Sequence, residues 1–67
     1  MQTGTVKFYN RDKAYGFITP NDGSKDVFVH KNGLANGCTI HDGDNVEFNV
    51  ENTPKGLNAV DVSLIED

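Results

Sequence analysis

Apolar and polar side chains alternate regularly in the second half of the chain. Val46, Phe48 and Val50 are separated by polar residues, and residues 60–64 repeat the same two-residue period. This period is typical of a β-strand with one buried face, and no stretch shows the 3.6-residue period of an amphipathic helix. Turn-forming pairs such as Asp42-Gly43 separate the apolar runs. The pattern therefore predicts an all-β fold with strands at residues 4–11, 15–20, 26–30, 45–52 and 58–65.

The length of the chain limits what this fold can contain. With 67 residues, of which 36% are hydrophobic, we expect a single domain over residues 1–67 with a small core. Short strands in so short a chain predict a small, closed or nearly closed β-barrel. A ligand-sized buried cavity does not fit beside such a core, so we expect no small-molecule substrate. The apolar runs are too short for a membrane span, and the start lacks a signal-peptide pattern. The lone Cys38 fits a cytoplasmic protein, and we expect no membrane partner.

Charge and aromatic residues are distributed unevenly along the chain. The formal net charge of −4 argues against binding duplex DNA by charge alone. Residues 1–31, however, carry five basic and three acidic side chains, whereas residues 32–67 carry one basic and seven acidic ones. Five of the six Phe and Tyr residues lie within the first 28 positions. Basic residues interleaved with aromatic ones make the first half the candidate for function.

The alternation within the second and third predicted strands separates aromatic from aliphatic side chains. Successive residues of a strand point to opposite faces, so the rings of each strand share one face and the aliphatic residues share the other. A narrow barrel interior suits valine and isoleucine better than stacked rings. The residues predicted to face the interior are Ile18, Val27 and Val29. The rings predicted to form an exposed patch are Tyr15, Phe17, Phe28 and His30.

An exposed aromatic patch on so small a protein indicates a binding surface. Nucleobases fit it, because every base has a π-face and stacking on an aromatic side chain is worth about 1–3 kcal/mol per base. Lys7, Lys13 and Lys31 are near enough in sequence to follow the phosphates. The alternation alone leaves a second interpretation open, in which the rings belong to the core and the barrel is a generic module.

Three segments of the chain resemble the signature of bacterial cold-shock proteins. They are residues 4–10 (GTVKFYN), 13–18 (KAYGFI) and 26–30 (DVFVH), and weaker similarity extends to the C-terminus. The resemblance implies an OB-fold, a five-stranded antiparallel barrel that binds single-stranded RNA and DNA and melts weak RNA structure. An RNA-recognition motif has a similar aromatic block, but it needs two helices, a longer chain and the opposite order of the two motifs. This sequence therefore does not fit an RNA-recognition motif.

The resemblance also implies roles for individual residues. Lys7 and Lys13 would lie near the nucleic-acid backbone, and Asn10 and Asp26 could hydrogen-bond base edges. Tyr9 would pack inward while Phe8 points outward, and this arrangement requires a bulge or a strong local twist in the first strand. Simple alternation would instead place Phe8 with Val6, and the sequence leaves this conflict open. The residues that would stack on bases are Phe8, Tyr15, Phe17, Phe28 and His30.

The chain departs from the family pattern at several positions. Phe8 stands in place of a tryptophan, Lys31 in place of an aromatic ring, and Leu57 in place of a proline. Ala14 replaces a glycine, so a positive φ there would be strained. The connection between residues 30 and 40 is shorter than in the family and lacks its aromatic residue. These changes predict weaker, more salt-sensitive binding than is typical of the family, or a shift in function. Four or five stacking platforms would still give roughly micromolar binding.

Other reactive side chains do not form a recognisable site in the sequence. Cys38 and His41 lack the four paired ligands of a structural zinc site, and Asp42 and Asp44 lack the spacing of a calcium loop. His30 and His41 have no third group to orient them for acid–base catalysis. We therefore expect no metal, no cofactor and no catalytic residue, and the chain is not expected to be an enzyme.

The sequence thus predicts binding of single-stranded RNA and DNA, with low sequence specificity and a tilt towards pyrimidines. Such a protein would act as an RNA chaperone by capturing unpaired bases. We expect a monomer, with a dimer left open. Two alternatives also stay open: an OB module that binds a protein through the acidic half containing Glu47 and Glu51, and an RNA-bound OB protein such as a translation initiation factor.

Overall fold

The structure is a computed structural model that describes residues 1–35 and 38–65. It confirms the predicted all-β class. The strands form one closed barrel in the order β1-β2-β3-β5-β4. Along the described residues, no helix is both long and apolar enough to cross a bilayer. The elements are β1 (Gln2–Asn10), β2 (Tyr15–Pro20), β3 (Val27–His30), a short 3-10 helix (Lys31–Gly33), β4 (Asn45–Thr53) and β5 (Gly56–Leu64).

The strand pairing explains where the observed bounds extend beyond the predicted ones. β1 begins two residues earlier than predicted, because Gln2 and Thr3 pair with β4 and help to close the barrel. β5 begins at Gly56, which pairs with Thr53 across a two-residue turn. Thr53 Oγ1 donates to the Gly56 carbonyl at 2.8 Å and accepts from the Lys55 N–H at 3.2 Å. β3 and β5 pair in parallel, and the other neighbouring strands are antiparallel.

The barrel interior is aliphatic, as the alternation predicted. Ile18, Val27 and Val29 are at most 2% exposed, and Phe48 is the aromatic residue among the fully buried side chains. The rings of β2 and β3 lie on the opposite face and are half-buried. The buried core consists of Val6, Ile18, Val27, Val29, Ile40, Val46, Phe48, Ala59 and Val62.

A bulge in β1 resolves the conflict over Phe8. Val6 pairs with Ile18 and Phe8 pairs with Phe17, so Lys7 is the extra residue on β1. The backbone of Val6 instead bonds the turn before β4, with hydrogen bonds of 2.8 Å to the Asp44 carbonyl and from the Gly43 N–H. Val6 is therefore buried while Phe8 emerges on the outer face. Simple alternation was wrong at this point, and the bulge implied by the family resemblance is confirmed.

The turn between β1 and β2 carries the strained residue that the sequence predicted. Ala14 has a φ of +60°, in the left-handed region that favours glycine. Its carbonyl accepts the Lys31 N–H at 3.0 Å, which ties the turn to the 3-10 helix. The tertiary structure therefore holds Ala14 in a left-handed backbone conformation that alanine disfavours.

We expect Ala14→Gly to raise the free energy of unfolding by about 0.5–1 kcal/mol. The substitution removes the steric cost of a left-handed alanine, which exceeds the entropy lost with a glycine. Ala35→Gly is the matched control, because Ala35 is outside the positive-φ region and should lose about 0.5–1 kcal/mol. Urea denaturation followed by circular dichroism measures both. Equal destabilisation by the two variants would contradict the assignment of strain to Ala14.

Candidate nucleic-acid interface

Four aromatic rings form a continuous cluster on the outer face of β1, β2 and β3. Phe17 is its centre, with its ring centroid 5.6 Å from Phe8, 6.5 Å from Tyr15 and 5.7 Å from Phe28. Tyr15 and Phe28 stack at 5.7 Å with an interplanar angle of 19°. Each ring is half-buried, so one side is supported by its neighbours and the other is accessible. We refer to Phe8, Tyr15, Phe17, Phe28 and His30 as the aromatic face.

The register of the strands brings these residues together. Phe8 lies opposite Phe17, and Phe17 lies opposite Phe28, so three rings form one row across β1, β2 and β3. Tyr15 lies opposite His30 in the next outward-facing row. Directly opposed side chains have Cβ atoms about 4.5–5.5 Å apart, which is close enough for their rings to touch. The five residues predicted to stack on bases therefore share one surface.

His30 is oriented by the start of the 3-10 helix. Its Nδ1 accepts the backbone N–H of Asn32 at 3.2 Å. A neutral imidazole with this partner carries its proton on Nε2, which is then a hydrogen-bond donor. The ring can thus offer both a stacking surface and one polar contact.

Lys7 and Asp26 form an ion pair beside the aromatic face. Lys7 Nζ lies 3.1 Å from Asp26 Oδ2, and Asp26 Oδ1 accepts from Thr19 Oγ1 at 3.1 Å. The hydrogen bond from Lys7, followed by that from Thr19, lowers the pKa of Asp26 below its ordinary value. Asp26 can therefore act only as an acceptor at neutral pH. Its predicted contact with a base would compete with these two partners.

Asn10, Lys13 and Lys31 lie at the end of the aromatic face where β1 turns into β2. Asn10 Oδ1 accepts the Lys13 N–H at 3.1 Å and so caps the turn, which leaves the Asn10 amide nitrogen for any other contact. Lys13 and Lys31 are exposed, and the bond between Lys31 and Ala14 holds their backbones near each other. The structure thus brings two lysines to one end of the face.

A groove extends the aromatic face towards the β4–β5 hairpin, and sequence reasoning did not predict it. Its volume is about 670 Å³, and Phe17, Phe28 and His30 line one side. The other side includes Leu57, which is 44% exposed. The sequence contained no local signal for this groove, because it depends on the parallel pairing of β3 with β5. The polar side chains that line it are Asn32, Glu51, Thr53, Lys55 and Asn58.

The reactive residues around position 40 have structural partners. Asp42 Oδ1 accepts the Tyr9 N–H at 2.8 Å, and Asp44 Oδ2 accepts the His41 N–H at 2.8 Å. The His41 ring contacts Arg11 and lies 3.5 Å from Asp44. Within residues 1–35 and 38–65, no group of three or more His, Cys, Asp or Glu side chains is arranged to hold a metal ion. Cys38 is half-buried and packs against the core.

The chain is similar to known proteins along nearly its whole length. Residues 2–65 match the family model described as the 'Cold-shock' DNA-binding domain. The cold shock-like protein CspJ of Salmonella typhimurium is 52% identical over 62 residues, which cover 90% of this chain and 89% of CspJ. The cold shock-like protein CspC of Escherichia coli K12 is 52% identical over 64 residues, or 92% and 93% of the two chains.

A solved structure shares the fold at low sequence identity. The drosophila Unr CSD456 structure aligns with 97% of this chain at a TM-score of 0.78 and 21% identity. This chain spans 26% of the length of that one. The shared barrel supports the OB-fold expected from the sequence. The match of residues 2–65 to the family model and the relatives at about half identity show that the chain belongs to the cold-shock domain family.

Proposed function

We propose that this chain, a member of a nucleic-acid-binding family, binds single-stranded RNA and DNA on the aromatic face with low sequence specificity. The observation that carries the proposal is the packing of four half-buried rings with centroids 5.6–6.5 Å from their neighbours. Rings held in this way are preorganised, so little entropy is lost when bases stack on them. The shallow face favours single bases over a duplex, whose bases are already stacked and paired. Smaller pyrimidines leave room for more bases along it.

The lysines around the face supply the attraction to phosphate. Lys13 and Lys31 lie at one end, Lys7 lies beside Phe8, and Lys55 lines the far side of the groove. Their charge acts locally, although the whole chain has a formal net charge of −4. Each phosphate contact to a single strand contributes about −0.7 to the slope of log affinity against log salt. Three or four contacts therefore imply a moderate salt dependence.

Capture of unpaired bases would make the protein an RNA chaperone. A base stacked on the aromatic face cannot pair at the same time, so bound single strand is withdrawn from weak hairpins. The shift follows mass action and depends on protein concentration relative to Kd, so it requires no energy source and no catalytic residue. We propose that residues 1–67 act as one domain in this way. A reducing cytoplasm would keep Cys38 as a free thiol.

Fluorescence anisotropy of labelled hexathymidine tests this proposal. We expect a Kd in the micromolar range, based on four or five stacking platforms, of which Phe8 is smaller than the tryptophan of the family pattern. Affinity should fall roughly 20- to 50-fold between about 50 and about 200 mM salt, as three or four phosphate contacts imply. A Kd above about 1 mM at the lower salt concentration would contradict the proposal. That result would favour a protein partner for the acidic half.

A further inference from the structure

The row of paired residues that contains Phe8, Phe17 and Phe28 continues across the other two strands of the barrel. Phe28 on β3 pairs with Asn58 on β5, and Asn58 pairs with Glu51 on β4. With the pairs already described, one row crosses all five strands in the order of the barrel. It runs through Phe8, Phe17, Phe28, Asn58 and Glu51.

The side chains of Asn58 and Glu51 point outward like the rings. Ala59, which follows Asn58 on β5, is buried in the core, so Asn58 lies on the outer face. Glu51 is directly opposite Asn58 and is exposed. Phe28, Asn58 and Glu51 all line the same groove. Two strand spacings separate Phe28 from Glu51, about 10 Å, which is the scale of one nucleobase with its hydrogen-bond partners.

Asn58 and Glu51 have hydrogen-bonding capacity to spare. Within residues 1–35 and 38–65, neither side chain takes part in a hydrogen bond or an ion pair. A carboxylate accepts through two parallel oxygens, and a carboxamide offers a donor and an acceptor. Lys55 at the same groove offsets the negative charge of Glu51 towards an incoming phosphate.

We infer that Glu51, with Asn58, selects guanine for the base that lies next to Phe28. The inference rests on the proposed function, because it assumes that bases stack on the aromatic face. The Watson–Crick edge of guanine presents two adjacent donors, N1–H and the N2 amino group, which match the two oxygens of Glu51. Its O6 is an acceptor and matches the amide nitrogen of Asn58. Adenine, cytosine and uracil each lack the pair of adjacent donors.

This preference adds to the general tilt towards pyrimidines. Stacking on the rings of the aromatic face does not by itself distinguish one base from another, because every base has a π-face. A single position with a paired carboxylate and amide would therefore fix the register of an otherwise loosely bound strand. The preferred ligand is a pyrimidine-rich strand with one guanine at a defined position.

Hexathymidine variants with one guanine placed at each position in turn test the inference by fluorescence anisotropy. At one position, guanine should bind roughly 5- to 20-fold more tightly than adenine, which controls for purine stacking. Inosine at that position lacks the N2 amino group and should lose most of the gain. Equal affinity for guanine, adenine and inosine at every position would overturn the inference.

Glu51→Gln and Glu47→Gln separate recognition from net charge. Both remove one negative charge from β4, but Glu47 pairs with Thr3 and Ser63 and is absent from the groove lining. We expect the ratio of guanine to adenine affinity to fall to about one in Glu51→Gln and to stay unchanged in Glu47→Gln. An unchanged ratio in Glu51→Gln would overturn the role of Glu51. Binding of unmodified hexathymidine tests the proposed function separately. If the wild-type protein did not bind hexathymidine, the proposed function itself would be contradicted.

Discussion

Phe17→Ala is expected to weaken binding of hexathymidine by roughly 10- to 100-fold. Phe17 lies at the centre of the aromatic face, with its ring in contact with those of Phe8, Tyr15 and Phe28. Its removal deletes one stacking platform, worth about 1–3 kcal/mol, and leaves the neighbouring rings without support. Anisotropy titration measures the change in Kd.

Two control variants show whether the ring itself is responsible. Phe17→Leu keeps apolar volume without a π-face, and we expect it to lose nearly as much affinity as Phe17→Ala. Leu64→Ala truncates an apolar side chain that is 41% exposed on β5 and does not line the groove. It should bind hexathymidine like the wild-type protein. Full affinity in Phe17→Ala, or an equal loss in Leu64→Ala, would contradict binding on the aromatic face.

Gly16→Ala is expected to lower the free energy of unfolding by about 3 kcal/mol, a large part of the stability of so small a domain. A Cβ at this buried position would overlap the Phe8 carbonyl oxygen and lie 2.8 Å from Tyr9 Cα. Both atoms belong to the backbone of β1, which is held by the pairing of Tyr9 with Gly16. The overlap cannot be relieved by a side-chain rotation. β1 would have to move away from β2, and Phe8 away from Phe17.

Gly23→Ala is the control for the effect of any added methyl group. Gly23 has a φ of +84° but open space around its Cβ position, so only the backbone penalty applies. We expect a loss of about 1–2 kcal/mol from this penalty. Urea denaturation followed by circular dichroism compares the two. If Gly16→Ala were no less stable than Gly23→Ala, the fold would not depend on a glycine at position 16 for the close approach of β1 to β2.

The faces of β2 and β3 were predictable because the alternation in these two strands is strong and local. Ile18, Val27 and Val29 share one parity and fill the interior, so the outward rings of Tyr15 and Phe17 followed directly. Strand bounds agree with the predicted ones to within about two residues, which is the usual uncertainty of strand ends. Periodicity was sufficient here because each strand has one buried face.

The bulge in β1 and the pairing of β3 with β5 could not be predicted from alternation alone. The bulge at Lys7 inverts the parity of Phe8, and only the resemblance to cold-shock proteins indicated it. The contact between β3 and β5 joins residues far apart in the chain, and its parallel direction has no local sequence signal. From the sequence, Asn58 was therefore an ordinary surface residue and Glu51 a member of the acidic half, and only the strand register placed both in one row with Phe28.

The departures from the family pattern act on the face in different ways. Phe8 keeps a platform in the row but offers a smaller ring than tryptophan. Lys31 places a charge near Lys13 where the family has an aromatic ring, so under the proposed function we expect phosphate contacts to contribute more than base contacts. Leu57, 44% exposed in the groove, adds apolar surface next to Asn58. Together they favour weaker stacking and stronger dependence on salt.

An NMR titration of the aromatic ring resonances with hexathymidine tests capture of bases on the aromatic face most directly. Stacked bases shift the resonances of the rings that they cover. We expect progressive shifts for Phe8, Tyr15, Phe17 and Phe28 and no shift for Phe48, which is fully buried in the barrel. No shift of these four rings at saturating hexathymidine, with shifts confined to the acidic strand β4, would contradict it.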